Sequence, residues 1–162
     1  MNKGWKKGRG KLGFMDPLLG HWAADWESPM GPVHCTRSFE RFGGSYIRLD
    51  ARWEFGAAGR NVPEQCDDAQ GGKVYEELAL YGAGPDGKVA FWSFTSDGKR
   101  SQGTVADVTD LHKSAIGFEA QMPAGLARMA YWPDGESGFF WVAESKNAKG
   151  WKRFCEHHYR PA

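Results

Sequence analysis

From Gly20 onward the chain alternates apolar and polar residues with a period of two, in runs broken by Gly, Asp, Asn and Pro. The clearest run is 45–55. Ile47, Leu49, Ala51, Trp53 and Phe55 fall on one side of it, and Tyr46, Arg48, Asp50, Arg52 and Glu54 on the other. Successive side chains of a strand point to opposite faces, so this pattern predicts a strand with one buried face. The same reading predicts further strands at 20–27, 33–42, 74–82, 88–95, 99–108, 115–122, 126–132, 138–145 and 151–160. Residues 14–19 predict a short helical or irregular plug ahead of the first strand.

The breaks predict how the strands are joined. Pro85-Asp86-Gly87 and Ser96-Asp97-Gly98 are Asp-Gly turns between extended segments, the strongest short-range sign of antiparallel pairing. Gly43-Gly44, Pro123-Ala124-Gly125, Pro133-Asp134-Gly135 and Asn147-Ala148-Lys149-Gly150 read as turns too, as does Pro29-Met30-Gly31-Pro32. Only 56–72 is long, and a gap of that size among short turns predicts a lid or an insertion. Ten hairpin-linked strands in one open sheet would leave two unpaired edges. Closure removes both, so the expected fold class is all-β: an antiparallel up-and-down barrel of about ten strands.

Composition supports this picture. Aromatic residues make up 14% of the 162, with eight Trp, while hydrophobic residues reach only 41%. Such a chain suits strands buried on one face. Its length predicts one domain at 14–162, preceded by a basic tail at 1–13. Lys3, Lys6, Lys7, Arg9 and Lys11 meet no acid within residues 1–11, so the net charge of +1 covers a mildly acidic body. That tail reads as a solvated end rather than a specific nucleic-acid site. No secretory leader or membrane span is apparent. Three cysteines, Cys35, Cys66 and Cys155, form no C-x-x-C pair, which predicts reduced thiols and a cytoplasmic protein.

Gly20-His21-Trp22 at the head of the first strand, with the ten-strand meander and an Arg in the last strand, resembles the calycin superfamily of lipocalins and fatty-acid-binding proteins. Leu19-Gly20-His21-Trp22, Phe42-Gly43-Gly44-Ser45-Tyr46, Tyr81-Gly82 with Gly87-Lys88 and Trp92, and Trp151 with Tyr159-Arg160 are similar to an uncharacterised bacterial branch of that superfamily. The resemblance implies a barrel closed by Gly20 and Trp22, with Arg160 (or Arg153) laid across the indole as a cation–π partner. The fatty-acid binders' Arg-x-Tyr is absent from residues 153–160, so their ligand is not implied. One branch, the nitrobindin-like proteins, holds haem through a C-terminal His. That makes His157 or His158 the residue for haem or a metal, although Ala24 stands where that branch has Gly.

For a ligand, Trp26, Trp53, Trp92, Phe94 and Trp141 are expected to line a cavity, together with Phe140. Arg128 would meet an acidic group if its face turns inward, and His157 would supply a polar wall. Cys155-x-His157 offers two soft metal ligands, which His21, His34 and Cys35 could complete only if three strands align. Glu64, Cys66, Asp67 and Asp68 read as an acidic loop, and Asp107, Asp110 and His112 as a polar corner. No nucleophile elbow, phosphate loop or dinucleotide fingerprint is present. The expected function is therefore binding of a small hydrophobic or aromatic molecule, without catalysis and without a cofactor. The alternative is a haem- or metal-binding barrel. A homodimer through the barrel wall is the other partner the reading allows.

Overall fold

The computed structural model describes residues 4–28, 31–56 and 74–162. The turn residues Pro29 and Met30 and the connection carrying Glu64, Cys66, Asp67 and Asp68 lie outside the described residues. The rest forms ten strands: β1 (Gly20–Ser28), β2 (Gly31–Phe42), β3 (Tyr46–Phe55), β4 (Val74–Ala83), β5 (Val89–Thr95), β6 (Arg100–Ala106), β7 (Ile116–Met122), β8 (Gly125–Pro133), β9 (Phe139–Asn147) and β10 (Gly150–Pro161). Each pairs antiparallel with the next, and β1 pairs with β10 to close the barrel. The seam is short, joining Trp22 to Pro161 and Ala23 to Arg160. A closed meander leaves no sheet edge, as the turn pattern predicts.

One end is sealed. The 3₁₀ turn Gly13–Leu18 places Met15 and Leu18 fully inside. Gly20 then enters β1 at φ +127°, a conformation that a side chain would strain. Trp22 donates its indole N–H to the Leu18 carbonyl at 2.7 Å and meets Phe139 edge-on at 4.8 Å. Phe139 is fully buried and also contacts Tyr131 and Tyr159. The basic N-terminal segment joins this seal. Trp5 packs against Phe139 and donates to the Ser114 carbonyl at 2.9 Å, while its lysine and arginine neighbours from Lys6 to Lys11 stay exposed.

The interior faces follow the alternation. On β2 these are Val33, Cys35, Arg37 and Phe39, all buried. On β10 a bulge between Arg153 and Cys155 resets the parity, leaving Phe154 64% exposed and turning Cys155, His157 and Tyr159 inward. Outside the barrel, the connection after β6 lays Val108 over Ala130 and Val142 as a small second core. Asp110 there takes two hydrogen bonds from Arg128, at 3.0 and 2.8 Å.

Candidate functional site: the barrel cavity

Opposite the sealed end the barrel opens into a cavity of about 620 Å³. Its floor is polar. Arg37 is 2% exposed, donates from Nε to Tyr159 Oη at 3.0 Å and from Nη1 to Tyr131 Oη at 2.9 Å. Its guanidinium lies 4.4 Å from the Trp141 ring centroid and 5.4 Å from that of Trp53. Among the described residues no carboxylate comes within ion-pair distance of Arg37. Glu77 shares the cavity wall, but its carboxylate accepts the Ser93 hydroxyl at 2.6 Å instead. Burial works against the Arg37 charge, while Tyr131 and Tyr159, and after them Cys35 and Glu77, together hold its pKa above the usual arginine value. An arginine stays protonated in proteins in any case. The cavity thus holds a cation whose partners are phenols and rings rather than an acid.

Beside it stands a string of groups on alternate residues of β10. Cys155 Sγ lies 3.1 Å from His157 Nε2, and His157 Nδ1 lies 3.2 Å from Tyr159 Oη. Tyr159 Oη reaches Cys35 Sγ at 2.9 Å. The His157 ring is stacked on Trp26, with centroids 3.6 Å apart, and tilted against Trp141 at 4.9 Å. Burial, helped by the nearby Arg37 charge, lowers the His157 pKa to about 3, so the imidazole is neutral. Burial likewise pushes the Cys35 thiol up to about 11 and raises Cys155, and Tyr131 goes up to about 12. All of these groups are uncharged near neutrality. Arg37 is the fixed charge among them. Among the described residues the buried indole N–H of Trp141 has no hydrogen-bond partner.

Trp26, Trp53, Trp141 and His157 all border this one cavity. Trp92 and Phe94 do not. On β5 it is Phe91 and Ser93 that face inward, which turns Trp92 onto the outer wall and leaves Phe94 48% exposed. Phe140 is also outside, stacked on His158. Arg128 touches the cavity rim, but its guanidinium is directed to the outer wall. There it bonds Glu144 at 2.9 Å as well as Asp110, and covers Trp151 at 4.2 Å. It is satisfied before any ligand arrives. Arg160 is exposed, so the proposed cap on Trp22 gives way to the Leu18 and Phe139 contacts. Arg153 instead bonds Glu144 at 3.1 Å. The guanidinium that lies over indoles inside the barrel is that of Arg37.

Sequence reasoning passed over Arg37, yet a signal was there. Its neighbours two residues away, Cys35 and Phe39, are apolar members of an inward face, so the alternation places Arg37 with them. An arginine at such a position is rarely buried without a stated partner.

The metal set is not assembled. His21 and His34 point outward, to Ser38 and Asp25. No group of three or more His, Cys, Asp or Glu able to hold a metal ion occurs among the described residues. For haem, an axial histidine needs a ring nitrogen open to the cavity. Both nitrogens of His157 are engaged and both ring faces are packed, while His158 sits on the outer wall with Nε2 2.9 Å from Asp134. The residues as arranged do not fit haem.

No protein-family model matches the chain, and no curated protein does. Among solved structures it is similar to the crystal structure of Rv2717c from M. tuberculosis, with a TM-score of 0.56 and 14% sequence identity. The match covers 95% of this chain and 98% of that one. What the two share is the barrel. At that identity the likeness speaks for the fold and leaves the contents of the cavity to this chain's own residues. No helix among the described residues is long and apolar enough to cross a membrane.

Proposed function

We propose that the protein is a calycin-like barrel that binds a small, flat, hydrophobic or aromatic molecule bearing an acidic group. The observation that carries this reading is Arg37. A buried charge is costly unless it is paired, and phenols compensate a guanidinium less well than a carboxylate does. An acid entering the cavity would supply that pairing, with the charge-assisted geometry that arginine favours. Trp53 and Trp141 flank the cation, and Trp26 lines the same space. The body of such a ligand would meet ring faces. The cavity volume lies within the range usual for small-molecule sites.

Naphthalene-2-carboxylate and its neutral amide share one ring system and differ in charge. Quenching of tryptophan fluorescence should follow one-to-one binding of the carboxylate, with the amide at least tenfold weaker. Equal affinities, or no quenching by either, would count against the reading. Haem added to the purified protein should leave its own spectrum unchanged. A stoichiometric Soret shift lost in His157→Ala would favour the haem alternative instead.

A further inference from the structure

Cys155 is the thiol that the bulge in β10 turns into the cavity, and it is only half-buried there. Its sulfur is in contact with His157 Nε2 at 3.1 Å. A nucleophile within hydrogen-bond reach of a base, the base being oriented by a third group, is the arrangement of covalent catalysis. Tyr159 is that third group, at 3.2 Å from Nδ1, and the stack on Trp26 fixes the ring plane.

The protons can be assigned from Arg37 outward. Arg37 Nε–H occupies one acceptor site of Tyr159 Oη. With His157 protonated on Nδ1, that N–H takes the second acceptor site. The Tyr159 hydroxyl then donates to Cys35 Sγ, and the Cys35 thiol donates to the Thr36 carbonyl. Nε2 is left as an acceptor, facing the Cys155 S–H. Every donor in the string has an acceptor, and the imidazole is set as a base toward Cys155.

Two independent features indicate that something enters beside this pair. Among the described residues, Arg37 lines the same cavity with no carboxylate within ion-pair distance, and Trp141, 7% exposed, presents an indole N–H with no acceptor. We propose that Cys155 is a covalent capture site for electrophilic ligands of the α,β-unsaturated carbonyl class, with His157 as its general base. This rests on the ligand-binding reading above. In the step proposed, the Cys155 S–H proton passes to His157 Nε2 while sulfur forms a bond to the β-carbon. The C=C electron pair shifts to give an enolate, whose oxygen the Arg37 cation stabilises. Imidazolium Nε2–H then returns the proton to the α-carbon. The product is a thioether, the net addition of S–H across C=C, with no oxidant or reductant consumed. Because thiol and imidazole are both neutral at rest, the thiol is activated only as the proton moves.

The test uses 4-phenylbut-3-en-2-one with the full-length protein and intact-mass detection. One adduct should form, mapping to Cys155, absent in Cys155→Ser and at least tenfold slower in His157→Gln. Naphthalene-2-carboxylate should slow labelling by competition. The rate in the wild type should vary less with pH between 6 and 8 than that of glutathione, whose free thiolate does the reacting. Labelling of Cys35 or Cys66 instead, or an unchanged rate in His157→Gln, would overturn the proposal. Cys155→Ser separates the two claims. If it still binds the carboxylate while the wild type forms no adduct, covalent capture alone is wrong. If neither binding nor labelling occurs, both fall.

Discussion

Phe139→Ala should destabilise the protein by about 3–5 kcal/mol, the usual cost of truncating a fully buried aromatic side chain. Phe139 is the residue on which the sealed end converges. Trp5, Trp22, Tyr131 and Tyr159 all touch it, from the N-terminal segment and from β1, β8 and β10. Its removal leaves a void bordered by four rings that belong to four different elements, and no one of them can move in without leaving its own contacts. For a chain of this length such a loss corresponds to a fall of roughly 10 °C in Tm. Phe94→Ala is the matched control. That ring stands 48% exposed on the outer wall, so its loss should cost less than about 1 kcal/mol. Urea unfolding of the two variants checks the contrast. Similar midpoints would mean that the seal does not depend on Phe139.

The second large effect is with acid. The folded protein holds His157 neutral, with a pKa lowered to about 3 by burial and by the Arg37 charge. An unfolded chain protonates the same imidazole near pH 6.5. Above about 6.5 neither state carries that proton and the contribution to stability is fully present. Below it the unfolded state binds a proton that the folded state refuses, so stability falls as pH falls, by up to about 1.4 kcal/mol per pH unit. The ring is surrounded by Arg37 from β2 and by Cys155 and Tyr159 from its own strand, and none of these titrates in the window concerned. His157→Gln should flatten the slope between pH 6.5 and 4.5 by up to one proton's worth. An unchanged slope would place the imidazole in contact with water.

The barrel was legible because its information is local. Two-residue alternation and Asp-Gly turns fix each hairpin independently, and ten hairpins in a row leave closure as the way to remove the edges. The cavity was harder. In β5 the run Val89–Thr95 is almost continuously apolar, so nothing in it distinguishes the face of Phe91 and Ser93 from that of Trp92 and Phe94. In β10 the bulge at Phe154 changes the parity within the strand, and a bulge carries no reliable signature here. The cap on Trp22 failed for another reason. It relied on resemblance, and Arg160 pairs with Ala23 at the seam, where its side chain points to solvent. Arg37 was readable from Cys35 and Phe39 on either side of it, but a lone cation on an apolar face looks like an interruption until its surroundings are known. The packing of Trp5 against Phe139 joins residues more than a hundred positions apart, which no local pattern encodes.

Arg37 also divides the account from its simplest rival, a barrel filled with aromatic side chains and holding nothing. Naphthalene-2-carboxylate and naphthalene-2-carboxamide, each titrated against the wild type and Arg37→Gln, form a double-mutant cycle between the guanidinium and the ligand's charge. Glutamine retains donors for the phenols, so the amide should bind both proteins alike. The carboxylate should lose about 1.5–3 kcal/mol in the variant, roughly 10- to 150-fold in Kd. Equal losses for both ligands, or none for either, would contradict the claim that Arg37 awaits an acid.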